Sequence, residues 1–245
     1  VQTALSVKES LQLLSGNETY LVILDSNLNE SQKLCEHLKC NIQTSLIPLI
    51  LMYPKGTDIK KTDQFRICGN EYVIQPFEVK AILATAENEL TRSAEEEAVF
   101  LQEVLFQFPT EDGAIDRANE LGAQLFKASG LSDEGQVALC AAFREGVGNA
   151  AQHGNKHRRD KILEVLYLLD REKITVAVTD MGQGFDWSKY LDQGRNRNAL
   201  DKARESHRVG KLGGLGIMLM LKCVDRLEYN DAGNVVTLTK FLKKK

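Results

Sequence analysis

The stretch REGVGNAAQHG, residues 144–154, is the feature that most restricts what this chain can become. Glu145, Asn149 and His153 follow one another at four-residue steps among Ala, Gly and Val. An α-helix turns about 100° per residue, so each step returns to within roughly 40° of the last and the three polar groups share one edge. Ser132 is placed to cap this helix, and GAIDRANELGAQLFKASG before it reads as another amphipathic helix closed by Gly130. Two alternating runs follow, KILEVLYLLD and KITVAVTD, joined by REK, and the second enters DMGQGFD directly. Asp180, Gly182 and Gly184 therefore sit at a strand end, in a turn that needs close backbone approach or positive φ. Further on, VGKLGGLGIMLMLKCVD opens an apolar helix with a glycine cluster, whose free N–H groups and positive helix end suit an anion. Taken singly, each piece has an ordinary structural reading: a satisfied helical Asn, a turn, a tight connection. Their order and spacing carry more than any one of them.

The N-terminal part alternates element types. TYLVILDS (19–26) and LIPLILMY (46–53) are short aliphatic runs, each preceded by an amphipathic stretch, LSVKESLQLL or ESQKLCEHLK. Buried parallel strands with crossover helices account for this pattern. A third run, EYVIQPFE (71–78), stops at Pro76 and leads into the helical EVKAILATAENEL. In an open α/β sheet the functional crevice lies at the strand C-termini, which places Asp25, Met52, Tyr53 and Gln75 opposite one another. The alternative for Asp25 is a cap on the next helix, because Asp is a preferred N-cap. A stripe of Leu83, Ala86, Leu90, Ala94, Ala98, Leu101 and Leu105 continues at three- or four-residue spacing. It is either a seam that pairs two subunits or relays a signal, or the last helix packing on its own sheet. We expect that helix to reach Ala94 or beyond, then a strand near VLFQF ended by Pro109. The expected domains are residues 1–97 and 98–245.

A net charge of -3 gives no global attraction to nucleic acid or to an anionic membrane. Five scattered cysteines lack the paired spacing of a zinc or redox site and read as reduced thiols in a cytoplasmic protein. No apolar run reaches membrane-spanning length, and no signal peptide is evident.

Two resemblances follow from the motifs. LVILDSNL, IPLILMYP and EYVIQPFE resemble strands three to five of a response-regulator receiver domain of two-component signalling, with Asp25 at the phosphoacceptor position. The family's Lys is Gln75 here, its Thr or Ser falls on Tyr53, and the paired metal-binding acids are absent before Val1. The resemblance implies a degenerate or truncated receiver-like α/β domain with a flavodoxin-like fold. REGVGNAAQHGN, VTDMGQGFD and GGLGIMLMLKCVDRLEY, in that order, resemble the N, G1 and G2 boxes of the GHKL (Bergerat) ATPase fold, and most of all the bacterial anti-sigma-factor serine kinases. This second resemblance runs from about residue 104 to 242 and implies a two-layer α+β ATP-binding domain.

Carried over residue by residue, the resemblance implies that Asn149 holds Mg²⁺ and that Glu145 is the catalytic base or orienter of the attacking hydroxyl. It implies that Asp180 accepts the adenine amino group while Gly182 and Gly184 leave room for the base. Gly213, Gly214, Leu215 and Gly216 donate backbone N–H groups to the phosphates of ATP. His153 and Gly154 belong to the motif, with His153 fixing the helix end. Seven Lys and Arg against three acids between Lys189 and Lys211 fall where such folds carry a lid, and Arg208 and Lys211 are the expected phosphate contacts. No His lies between His37 and His153, so the interdomain region offers no histidine phosphoacceptor. The expected activity is an ATP-dependent serine kinase acting on a STAS-type anti-anti-sigma protein and sequestering a sigma factor, as a homodimer, with no direct nucleic-acid or membrane contact. The alternative is a partner-sequestering module in which ATP only sets conformation; a Glu at 145 favours the kinase, since a pure binder needs no base.

Overall fold

A computed structural model describes residues 1–187 and 215–242 and divides the chain into two compact units. The first comprises Val1–Lys60, Arg66–Phe106 and Leu168–Arg171, and the second Lys61–Phe65, Gln107–Tyr167 and Glu172 onward.

In the first unit α1 (Val7–Gly16) is capped by Ser6, whose Oγ accepts from the Glu9 N–H at 3.2 Å, while the Glu9 carboxylate reaches back to accept from the Leu5 N–H at 2.8 Å. The strands β1 (Val22–Asp25), β2 (Leu49–Tyr53) and β4 (Glu71–Ile74) form a sheet in the order β1-β2-β4, parallel as the aliphatic runs led us to expect, but only the central β2 is mostly buried, Ile23 of β1 and Tyr72 of β4 being exposed. The helix α2 (Ser31–Cys40) connects β1 to β2 and buries Leu34, Cys35 and Leu38. The short strand β3 (Arg66–Ile67), which the sequence did not announce, lies beside β5 (Phe100–Pro109), with the Cys68 N–H donating to the Leu105 carbonyl.

Register brings Asp25 opposite Met52 and Tyr53 opposite Ile74, and the Gln75 N–H donates to the Tyr53 carbonyl. The expected quartet thus meets at one end of the sheet. Asp25 is exposed and accepts from the Asn27 N–H at 2.9 Å, closing a local turn. It does not cap α2, whose N-cap position is Glu30. The helix α3 (Val79–Glu96) passes Ala94, as expected, and then gives way to β5. Leu101 and Leu105 are therefore strand residues, and the helical stripe drawn as far as Leu105 is broken. The alternation of FLQEVLFQF, with Val104, Phe106 and Phe108 fully buried, overrides the three- and four-residue spacing.

The second unit carries most of β6 (Ile162–Asp170), with β7 (Lys173–Thr179), β8 (Arg226–Tyr229) and β9 (Val235–Phe241), in the order β6-β7-β9-β8. β9 pairs antiparallel with both β7 and β8. β6 and β7 alternate strictly between buried and half-buried residues, as a sheet covered on one face must. Leu163, Val165, Tyr167, Ile174, Val176 and Val178 are fully buried. The cover is α4 (Asp112–Ala128) and α5 (Asp133–Asn149). Phe126 of α4 meets Phe143 of α5 edge to face at 5.7 Å and Tyr167 of β6 at 6.2 Å. As expected, Gly130 closes α4 at φ 87° and Ser132 caps α5, its hydroxyl accepting from the Gly135 N–H. A final helix, α6 (Leu215–Cys223), packs on α5.

Candidate nucleotide site

Two members of the polar edge expected from the sequence, Asn149 and His153, line a cleft of about 260 Å³ together with Gly154, Asp180, Gly184 and Tyr229 among others, while Glu145 is not among its lining residues. Glu145 and Asn149 are both half-buried, and the Asn149 side-chain amide donates to Glu145 Oε1 at 3.1 Å. A carboxylate only accepts, so this bond fixes the orientation of the Asn149 amide and leaves its Oδ1 turned away from Glu145. Gly216, in the first turn of α6, stands against this pair. A Cβ at Gly216 would overlap Glu145 Oε1 and reach 3.0 Å from Asn149 Nδ2. Only a residue without a side chain brings α6 this close to the pair.

The helix does not continue unchanged to His153. After Asn149 the backbone widens into a π-turn over Ala150–Gly154, in which the Asn155 N–H donates to the Ala150 carbonyl. His153 keeps its place on the cleft but is exposed, while Gly154 is carried against the next motif. A Cβ at Gly154 would fall on the carboxyl group of Asp180. The glycine following His153 thus clears the space in which that carboxylate stands.

Asp180 is placed by hydrogen bonds to two neighbours, Asn234 and Gly182. Its N–H donates to the Asn234 carbonyl at 3.0 Å, its carbonyl accepts from the Asn234 side-chain amide, and its Oδ1 accepts from the Gly182 N–H at 2.6 Å. Lys161 Nζ holds the following residue, donating to the Met181 carbonyl at 2.8 Å. Burial pushes the Asp180 carboxyl above its ordinary value, against the opposing pull of the Gly182 N–H and the Lys161 charge. Gly184 adopts φ 73°, the left-handed region, with its Cα packed on the Ala232 carbonyl.

Three contributors to this arrangement had weak sequence signals or none. Asn155 is fully buried and joins three segments: its amide donates to Thr110 Oγ1 and to the Ile162 carbonyl, both at 2.9 Å, and its Oδ1 accepts from the Met181 N–H at 2.8 Å. Asn230 closes the turn between β8 and β9 by accepting from the N–H groups of Gly233, Asn234 and Val235. The string NDAGN between two strands was a legible turn signal. Tyr229 lines the cleft with its ring in an edge contact with Phe185 at 5.3 Å and stacked with Trp187 at 6.1 Å.

Leu215 and Gly216 occupy the first turn of α6. The other expected phosphate contacts, Arg208, Lys211, Gly213 and Gly214, lie outside the described residues. Among the described residues, no three His, Cys, Asp or Glu side chains gather as a metal cluster, no helix is long and apolar enough to cross a membrane, and all five cysteines are free thiols.

Comparison with known proteins places this geometry in context. Residues 108–240 match the family described as histidine kinase-like ATPase domain. The serine-protein kinase RsbW of Listeria monocytogenes is 26% identical over 149 residues, covering 60% of this chain and 92% of its own length. RsbW of Bacillus subtilis is 30% identical over 107 residues, 42% of this chain and 63% of its own. A solved structure of a candidate response regulator from Chloroflexus aurantiacus aligns with 36% of this chain and 75% of its own, at 25% identity and a TM-score of 0.32.

Proposed function

The chain belongs, through residues 108–240, to the histidine kinase-like ATPase family, and from that premise we propose that it is an ATP-dependent protein serine kinase of the anti-sigma partner-switch kind. The protein it phosphorylates is a STAS-type anti-anti-sigma protein, with a sigma factor as the second partner. Residues 98–245 are the kinase domain and residues 1–97 a receiver-like regulatory domain. The similarity to RsbW kinases over 149 residues supports the choice of this class.

The observation that carries the reading is the Asn149–Glu145 hydrogen bond at the edge of the cleft. It gives each side chain a separate task. The Asn149 carbonyl oxygen, turned from the carboxylate, is a hard neutral ligand of the kind Mg²⁺ takes. The metal, when bound with ATP, neutralises charge on the phosphates. The Glu145 carboxylate lies one turn away, positioned to orient a substrate serine hydroxyl and accept its proton. At the other end Asp180, held by Gly182 and Asn234, offers its carboxylate to the adenine amino group. Leu215 and Gly216, at the start of α6, are the described residues we assign to offer backbone N–H groups to the phosphates; Gly213, Gly214, Arg208 and Lys211, outside the described residues, are the further contacts expected from the resemblance.

In the N-terminal domain Asp25 stands exposed at the sheet end, with Gln75 and Tyr53 where a receiver carries its Lys and its Thr or Ser. These neighbours supply no cation to answer a phosphoryl group. We therefore assign this domain to dimerisation or docking, with the exposed Leu83 and Leu90 of α3 as its apolar contacts. Incubation of the full chain with labelled ATP, Mg²⁺ and the STAS proteins of its own genome tests the proposal. Label on a STAS serine supports it. ATP binding and partner capture without transfer would make the chain a sequestering module instead.

A further inference from the structure

Tyr229 is the last residue of β8, paired with Val236 of β9, and its side chain faces the cleft. Its ring is held on two sides, by the edge of Phe185 and the face of Trp187. The Trp187 indole is itself anchored, donating to the Asn230 carbonyl at 2.9 Å. Packing alone would be served equally well by phenylalanine. The hydroxyl is not used by that packing: Tyr229 is half-buried on the cleft wall, so water meets its O–H until a ligand takes that place.

Among the described residues the Tyr229 hydroxyl has no hydrogen-bond partner. Tyr167, fully buried in β6, shows how a phenol is satisfied inside the protein, donating its hydroxyl to the Leu125 carbonyl. Two carboxylates influence Tyr229, Glu145 and Asp180, and they accept hydrogen bonds from Asn149 and from Gly182 rather than from the phenol. Burial first, and then those two negative charges, raise the phenol pKa further. On the wall of the cleft the hydroxyl is a hydrogen-bond donor that can exchange water for an acceptor on a ligand.

We infer that Tyr229 is a nucleotide-contacting residue, whose ring walls the cleft and whose hydroxyl donates a hydrogen bond to the nucleoside half of the bound nucleotide. The nucleoside half is chosen because the ring is fixed from the Asp180 end. Phe185 and Trp187 follow Asp180 along the chain, and the turn after Tyr229 delivers Asn234 to the Asp180 backbone. An acceptor on the ribose or the purine ring completes what the protein leaves open. No charge is needed, which suits a site whose lining already carries the Asp180 carboxylate.

The inference rests on reading the cleft as an ATP site, and the experiment separates the two. Tyr229→Phe in the full chain keeps the ring and its aromatic contacts while removing only the O–H. Calorimetric titration with ATP, and competition with adenosine, are compared with wild type. Thermal melting of both proteins verifies the fold. We expect a three- to tenfold weaker affinity, about the worth of one net hydrogen bond, lost equally for ATP and adenosine, with melting unchanged or slightly raised. Unchanged affinity for both ligands would overturn the inference, and a loss confined to ATP would overturn the assignment to the nucleoside half. Failure of the wild-type chain to bind ATP would instead remove the proposed function.

Discussion

Gly154→Ala is the change that most directly probes how the cleft is built. Gly154 has no unusual backbone angle, so alanine meets no torsional penalty there, and in a helical turn it gains up to about 1 kcal/mol over glycine. The difficulty is local and steric, because the added Cβ would occupy the position of the Asp180 carboxyl group. Asp180 is too short to swing aside, and its N–H and carbonyl are both tied to Asn234. The carboxylate must therefore shift on the order of 1 Å to restore van der Waals separation. Overpacking of this kind costs about 1–3 kcal/mol, which the helical gain partly offsets, leaving a net loss of about 0–2 kcal/mol in folding stability. Ligand binding has no such offset. A hydrogen bond to a charged group is worth about 1.5–3 kcal/mol, so displacement of Asp180 should weaken ATP binding by about ten- to a hundredfold. Calorimetry with ATP, run beside urea denaturation of the same variant, separates the two effects. A variant that folds and binds ATP with wild-type affinity would refute the argument that Gly154 keeps the place of the Asp180 carboxylate.

Asn149→Ala removes the oxygen assigned to the metal and should abolish Mg²⁺-dependent ATP affinity without unfolding the chain; calorimetry with and without Mg²⁺ checks this. Glu145→Gln keeps size and hydrogen bonding but not basicity, so phosphoryl transfer should fall by about 10² or more while ATP binding persists, as single-turnover kinetics would show. In the first unit, burial lowers Lys39 from 10.5 to about 8, with Arg92 lowering it further and Glu103, Glu96 and Glu89 opposing. Because the folded state then binds its proton less tightly than the unfolded chain, Lys39 costs about 3 kcal/mol below pH 8, and that cost fades as pH rises toward 10.5. Denaturant midpoints should therefore show this unit gaining stability between about pH 8 and 10, a slope that Lys39→Met removes.

Much of the site was legible because its chemistry sits at local, regular spacings. Asn149 and Glu145 are one helical turn apart and do bond, and Asp180 does stand at a strand end with a glycine N–H on its carboxylate. The parallel register of β1, β2 and β4 followed from short aliphatic runs, and the Ser132 and Gly130 helix ends from capping chemistry. Less visible were features that depend on partners remote in sequence. Asn155 looks like any loop asparagine until Thr110, Ile162 and Met181 converge on it. A helical period carries no mark of a π-turn, since one widened turn leaves composition unchanged, so the edge drawn straight to His153 missed the backbone that delivers Gly154. The strand at β5 defeated the leucine stripe because two periodicities overlap in the same residues, and burial of Val104, Phe106 and Phe108 decided between them.

The position of β9 between β7 and β8 sets a timetable for synthesis. Thr179 pairs with Val235, and Asp180 is clasped by Asn234, so the edge that holds Asp180 waits for residues made long after it. While the chain is emerging from the ribosome, α4, α5, β6 and β7 are all present, yet β7 shows an unpaired edge and Asp180 has no clasp. Such long-range pairing is slow and leaves strand edges open to other chains in the interval. Nucleotide competence therefore arrives late and abruptly, when β9 slots between its two neighbours. A nascent chain halted before Asn234 would display the Glu145–Asn149 helix in full and still fail to hold ATP.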